Sequence, residues 1–223
     1  MAMSRRLPDC SPIRGDIPRL LTEVYVKSLR ERVGPVSTTC ARFLYVITRA
    51  LSTARRGLTA LEVGTGLGYS ALWIGFGMLD SGFPGKLYTI EVKEERAREA
   101  RENVAIAGLS DYVEVLCGRT LQLLSSLNVK LDMAFFDTGG CGYLEYLRLI
   151  SPKMPIGSVL MAHDVVGPFP QEAADFLEEI TLLGPWMTVV LPVDQHGLSL
   201  SIKIGEKRLR RLEDLTLERI EPP

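Results

Sequence analysis

The sequence predicts a doubly wound α/β fold: one mostly parallel, seven-stranded sheet with helices on both faces and an antiparallel hairpin at its C-terminal end. Three observations lead there. From Leu58 onward, short apolar runs of strand length alternate with segments of helical period. The first run is followed at once by Gly64-Thr-Gly-Leu-Gly68, a strand-to-helix turn. The last two runs, Met187 to Leu191 and Leu198 to Ile204, are joined by a short turn at 192–197, as in a hairpin.

Residues 1–15 read as a loose lead-in. Asp16 ahead of Pro18 opens a first helix, because a carboxylate cap and an early proline suit a first turn. Leu21, Tyr25 and Leu29 recur along it, and Gly34-Pro35 ends it. A second helix is predicted over 38–52, with Phe43, Ile47 and Leu51 on one face; it is either a lid or a packing helix. Leu58 to Val63 is a buried strand, and a helix runs from about Ser70 to Leu79. The turn-rich Asp80 to Gly85 leads to a strand at Lys86 to Glu91. From Glu94 to Ala107 the stripe Ala97, Ala100, Val104, Ala107 marks an amphipathic helix, with Glu94–Arg98 and Arg98–Glu102 pairs on the solvent side and Gly108 as terminator. Strands at Tyr112–Leu116, Leu131–Phe136 and Ser158–Ala162 then alternate with helices at 120–127, 143–150 and Gln171–Leu182. Residues 205–223 are charged and read as a surface appendage. The expected organisation is an N-terminal helical segment (1–57) packed on a main α/β unit (58–204), with the appendage (205–223), all in one structural domain.

Composition narrows the function classes. A chain of 223 residues with 46% hydrophobic content can bury one sizeable core. Formal net charge is −1, so there is no general pull toward nucleic acid, although local basic clusters at Arg5–Arg6, Arg55–Arg56 and Lys207–Arg211 leave a patch open. Cys10, Cys40, Cys117 and Cys141 have neither metal-knuckle nor redox spacing and read as reduced thiols of a cytoplasmic protein. Neither a secretory signal nor a membrane span is expected.

In doubly wound folds, ligands bind beyond the carboxyl ends of the strands. Gly64–Gly68, Glu91, Gly118, Asp137 and His163–Asp164 all fall at such ends. Glu91 is placed to accept hydrogen bonds from a ribose diol. The dinucleotide fingerprint needs a glycine at position 69, where this chain has tyrosine. Glu62 also sits badly beside a diphosphate and suits a cation such as a sulfonium or ammonium. No Walker A loop is present.

At these residues the chain resembles the class I, S-adenosylmethionine-dependent O-methyltransferases of the catechol and caffeoyl-coenzyme A type. The matching text is Leu61-Glu-Val-Gly-Thr-Gly-Leu-Gly-Tyr-Ser-Ala-Leu72, Tyr88-Thr-Ile-Glu-Val92, Val115-Leu-Cys-Gly118, Phe135-Phe-Asp137 and Gly157-Ser-Val-Leu-Met-Ala-His-Asp-Val165, with Val190-Leu-Pro-Val-Asp194 and Gly197 as a closing turn. The resemblance spans roughly residues 34–204. It implies a Rossmann-like methyltransferase fold and S-adenosyl-L-methionine as cofactor. It further implies that Val36 approaches the cofactor; that Glu62, Gly64, Tyr69 and Ser70 surround its methionine end, with Gly66 and Gly68 in the turn that brings the backbone close to it; that Glu91 holds the ribose; and that Gly118, Arg119 and Thr120 border the adenine. Asp137, His163 and Asp164 match the family's divalent-metal positions, and Tyr143 a tyrosine that follows the first of them. A homodimer and a small-molecule substrate are implied as well.

Two departures stand out. The family usually has Asp-Asn where this chain has His163-Asp164, and its general-base lysine falls at Gly140. Two carboxylates and an imidazole suit Mg²⁺ or Mn²⁺, with the imidazole tilting the set toward Mn²⁺, Fe²⁺ or Zn²⁺. His163 reads equally as a general base held by an aspartate, or as a polar strand end without chemistry. Tyr143 and Tyr146 either shape an aromatic pocket or simply pack, and Phe169 is a candidate wall of the substrate entrance. His196 reads as an exposed turn residue. The leading expectation is methyl transfer to a hydroxyl oxygen of a small, aromatic molecule. The rivals are an RNA or protein methyltransferase using the same cofactor site and a non-catalytic scaffold.

Overall fold

A computed structural model of the chain describes residues 17–167 and 171–205. The Asp16 cap, Cys10, Phe169, Arg5–Arg6 and the basic run Lys207–Arg211 lie outside the described residues.

Helices α1 (Ile17–Arg30) and α2 (Thr38–Arg55) come first. Then β1 (Thr59–Val63), α3 (Tyr69–Asp80), β2 (Lys86–Glu91), α4 (Glu94–Ile106), β3 (Val113–Cys117), α5 (Thr120–Ser126), β4 (Met133–Phe136), α6 (Tyr143–Ile150), β5 (Val159–His163), α7 (Gln171–Glu178), β6 (Trp186–Leu191) and β7 (Leu198–Lys203) follow. Expected and observed bounds differ mostly by one or two residues. The helix expected to reach Leu182 instead loosens into a π-turn over Glu179–Leu183 before Gly184. Among the described residues, no helix is long and apolar enough to cross a membrane.

The seven strands form one sheet in the order β3-β2-β1-β4-β5-β7-β6. β1 to β5 are mutually parallel, and β7 runs antiparallel between β5 and β6. The order reverses between β1 and β4, and such a switch point opens a crevice at the carboxyl ends of the strands.

The central strands are apolar on both faces because both are covered. Ala60, Leu87, Met133, Phe135, Val159 and Met161 pack toward α1 to α4. Their neighbours Leu61, Val63, Ile90, Ala134, Phe136 and Leu160 pack toward α5 to α7. Helix α2 is a packing helix: a Cβ on Gly77 of α3 would lie 2.7 Å from the Tyr45 carbonyl of α2, so the two backbones cross at a glycine. Ser37 caps α2, its side chain accepting from the Cys40 amide at 3.1 Å.

Candidate active site

The chain must turn from β1 into α3 within five residues, Gly64 to Gly68. Gly64 and Gly66 carry φ of +106° and +55°. A Cβ on Gly64 would run into the Asp137 carbonyl at the end of β4, and one on Gly66 would press within 2.8 Å of Val33. The Gly64 amide donates to the Ile90 carbonyl at 3.0 Å, and the Gly66 amide to Glu91 Oε2 at 2.9 Å. Glu91 Oε1 accepts from the Lys93 amide at 3.0 Å. The acid that ends β2 is thus held by two backbone donors, is 6% exposed, and still has free lone pairs on each oxygen.

A cavity of about 380 Å³ opens above these strand ends, a size that suits a small molecule. Val36, Gly64, Gly66, Tyr69, Ser70, Glu91, Thr120 and Asp137, all singled out from the sequence, line it, as do Asp164 and the unforeseen Arg96. Three carboxylate residues (Glu91, Asp137, Asp164) and one arginine (Arg96) are among the residues that line it. That balance favours a cationic ligand over a diphosphate.

Four of the expected cofactor-binding residues are not on the wall. Gly68 begins α3 beside Ala100 of α4, Gly118 donates its amide to the Glu91 carbonyl at 3.0 Å, and Arg119 is the exposed residue before α5. Glu62 lies one layer beneath, fully buried on β1. Thr89 Oγ1 donates to its Oε2 at 2.5 Å, while Oε1 has no hydrogen-bond partner among the described residues. Burial pushes the Glu62 carboxyl up to about 7, against the pull of nearby Ser70 and Thr89. A buried acid with an unanswered oxygen below an acid-lined cavity fits a ligand that brings positive charge and N–H donors.

Asp137 follows β4, while His163 ends β5 and Asp164 follows it. In a continuing strand, neighbours point to opposite faces. Asp164 instead takes φ +55°, a left-handed conformation that aspartate tolerates better than most residues, and this brings both side chains to one centre. His163 Nδ1 lies 3.4 Å from Asp137 Oδ1 and 3.5 Å from Asp164 Oδ1, and the three ligand atoms are all within 4.8 Å of one another. Two carboxylates and one imidazole at these separations fit a divalent metal ion.

Two residues of the β6–β7 turn join the site. His163 Nε2 lies 3.0 Å from Asp194 Oδ2, and His196 Nδ1 lies 3.3 Å from Asp164 Oδ1. His196 is therefore not merely an exposed turn residue. Burial alone would pull the His163 imidazole down, but Asp137, Asp164 and Asp194 outweigh it and raise it to about 9. Asp164 is raised, chiefly by burial. Asp194 is held below the usual carboxylate range: burial pushes it up, but Ser37, His163 and the His196 amide outweigh that.

Tyr143 is under the site, not in it. Its side chain is fully buried against Phe136 and Phe176. Its hydroxyl lies 3.0 Å from the His163 carbonyl and 3.3 Å from the Phe136 carbonyl, and accepts from the Thr138 amide at 3.1 Å. It ties the ends of β4 and β5 together, and burial drives its phenol well above the ordinary value.

Comparison with known proteins agrees with this geometry. The family described as a methyltransferase domain matches residues 61–165. A catechol O-methyltransferase of Mycobacterium tuberculosis is 29% identical over 159 residues, covering 70% of this chain and 69% of that protein. The catechol O-methyltransferase of Sus scrofa is 33% identical over 133 residues, covering 56% of this chain and 68% of that protein. Other relatives align over about half of their length, 48% in the case of the catechol O-methyltransferase of Niastella koreensis. Among solved structures, the O-methyltransferase from Bacillus cereus in complex with SAH superposes with a TM-score of 0.70 at 24% identity, over 86% of this chain and 93% of that one.

Proposed function

This chain belongs to the class I, S-adenosylmethionine-dependent O-methyltransferases, and from that premise we propose that it methylates a hydroxyl oxygen of a small aromatic molecule with help from a divalent metal ion. The observation that carries the proposal is the cavity at the switch point, walled by Glu91, Asp137 and Asp164, with the metal-fitting trio at its edge.

A hydroxyl oxygen would displace the cationic sulfur of S-adenosylmethionine from its methyl group: the O–CH₃ bond forms as the S–CH₃ bond breaks, S-adenosylhomocysteine leaves as the neutral thioether, and the hydroxyl proton goes to solvent. A divalent ion, when bound, supplies a Lewis acid that lowers the pKa of a phenol from about 10 and orients its oxygen. The protein's own residues align and hold. Glu91, fixed by the Gly66 and Lys93 amides, accepts from the ribose hydroxyls. Glu62, through its negative potential and its neighbours Ser70 and Thr89, favours the cationic methionine end. Val36 and Tyr69 close over the same end, and Thr120 borders the adenine. Asp137, His163 and Asp164 would hold the ion. Most of the rate gain comes from this alignment, because positioning alone can supply effective molarities approaching roughly 10⁵ M. The Thr138–Gly142 loop carries no amine, so no lysine takes the proton there. The enzyme works in the cytoplasm as a homodimer.

Titration calorimetry with S-adenosylmethionine, followed by mass spectrometry of catechol-type acceptors with and without Mg²⁺ or Mn²⁺, tests this. The expected outcome is cofactor binding and a methyl added at oxygen only when the metal is present. Cofactor binding with methylated RNA or protein, and no small-molecule product, would overturn the acceptor assignment. No cofactor binding would leave a scaffold.

A further inference from the structure

We infer that Asp194 is a positioning residue that makes His163 a nitrogen donor, so that the Asp137–His163–Asp164 site selects a first-row transition-series ion (Mn²⁺, Fe²⁺, Co²⁺ or Zn²⁺) over Mg²⁺. This rests on the reading that a divalent ion is held there.

An imidazole is a ligand through one nitrogen only if the other keeps the proton. His163 has that arrangement. Nε2 faces both oxygens of Asp194, at 3.0 and 3.2 Å. Asp194 also accepts from the His196 amide at 3.0 Å, so it is an acceptor toward the ring, and the ring proton belongs on Nε2. With an ion in place of the proton on the other nitrogen, the Nδ1 lone pair would be directed at the space between Asp137 and Asp164, 3.4 and 3.5 Å away. Donors bound to one ion at about 2.1 Å lie roughly 3.0–3.4 Å apart, so these separations need only a small contraction. A carboxylate behind a metal-facing imidazole fixes ring orientation and raises donor strength.

The topology explains why this carboxylate is available. β7 lies between β5 and β6, with His163 opposite Leu198, so the turn preceding β7 overhangs the end of β5. The Val166 amide donates to the His196 carbonyl at 2.8 Å and pins that turn down. His163 itself is 5% exposed and is the last residue of β5, so its ring has little freedom to swing away. Mg²⁺ prefers oxygen donors and retains its waters, whereas imidazole suits the later first-row ions.

The test uses the full chain with S-adenosylmethionine present. Mn²⁺ is added and its electron spin echo is examined for ¹⁴N coupling, then Mg²⁺ is titrated against it; Co²⁺ is followed by its visible absorption. We expect ¹⁴N coupling, retention of Mn²⁺ against about 100-fold excess Mg²⁺, and a Co²⁺ spectrum of a mixed nitrogen–oxygen site. Asp194→Ala should weaken Mn²⁺ binding about 10- to 100-fold and diminish the ¹⁴N coupling, with partial rescue in Asp194→Glu. The wild-type spectra decide the ion selection even if Asp194→Ala fails to fold, and Asp194→Asn, which keeps the side chain's size, then reads the positioning role: unchanged Mn²⁺ affinity and ¹⁴N coupling in it would overturn that role. Mn²⁺ bound without nitrogen coupling, or displaced by equimolar Mg²⁺, would overturn the selection while leaving a metal site. Cofactor binding with no affinity for Mn²⁺ or Co²⁺ would overturn the metal site itself and the selection with it.

Discussion

Gly66 donates its backbone amide to Glu91 Oε2 at 2.9 Å, so the glycine turn after β1 is latched to the acid that ends β2. Glu91 therefore has two tasks, to hold the turn and to receive the ribose. Glu91→Ala is expected to weaken S-adenosylmethionine binding about tenfold or more and to lower stability by about 1–3 kcal/mol, as for lost charged hydrogen bonds. Calorimetry and thermal unfolding check the pair. Unchanged affinity in a folded variant would contradict the ribose assignment.

Glu62 makes apo stability depend on pH. Its folded pKa, about 7, lies above the ordinary 4.5, so the native state binds the extra proton. Stability then falls as pH rises from 4.5 to 7, and above 7 the full penalty of about 3 kcal/mol is present. Glu62→Gln should unfold at higher temperature than wild type at pH 8, with the gap closing toward pH 4. Thermal melts across that range without cofactor measure it. A gap independent of pH would show that the carboxyl is not held up by burial.

Asp137 faces the cavity and the imidazole at once. Asp137→Ala is expected to cut turnover about 100-fold or more while changing S-adenosylmethionine affinity only about threefold. Parallel kcat and binding measurements separate the two, and equal turnover would remove Asp137 from the reaction.

Tyr143 gives the opposite pattern. Removing its buried hydroxyl orphans the Thr138 amide and loosens the β4 and β5 ends. Tyr143→Phe should lose about 1–3 kcal/mol of stability, with no change in the pH profile of turnover. A large fall in kcat at unchanged stability would instead make this phenol a participant.

The parallel part of the sheet was legible because each strand is apolar and ends on a turn residue, and the β1 turn announces its ligand end through Gly64 and Gly66. Glu91 and Asp137 were legible for the same reason: packing does not explain an acid at the last position of an apolar run. Asp194 and His196 were not, because their contact with His163 and Asp164 depends on β7 inserting between β5 and β6, a strand order that a hairpin pattern alone leaves open. Arg96 was hidden on an amphipathic helix whose Glu94–Arg98 and Arg98–Glu102 pairs read as solvent-facing, which left nothing to mark this arginine out from its neighbours. Tyr143 illustrates a different limit: tyrosine at a helix start is equally consistent with a pocket wall and a buried pin, and only the hydroxyl's partners distinguish them.

The backward twist of the chain at Asp164 has a wider consequence. Because φ there is +55°, two consecutive side chains converge on one point without any lateral shift of β5. Their identities are thereby uncoupled from the strand's own alternation. An acid, an amide or an imidazole at either position would still face that same point, while the scaffold beneath stays as it was.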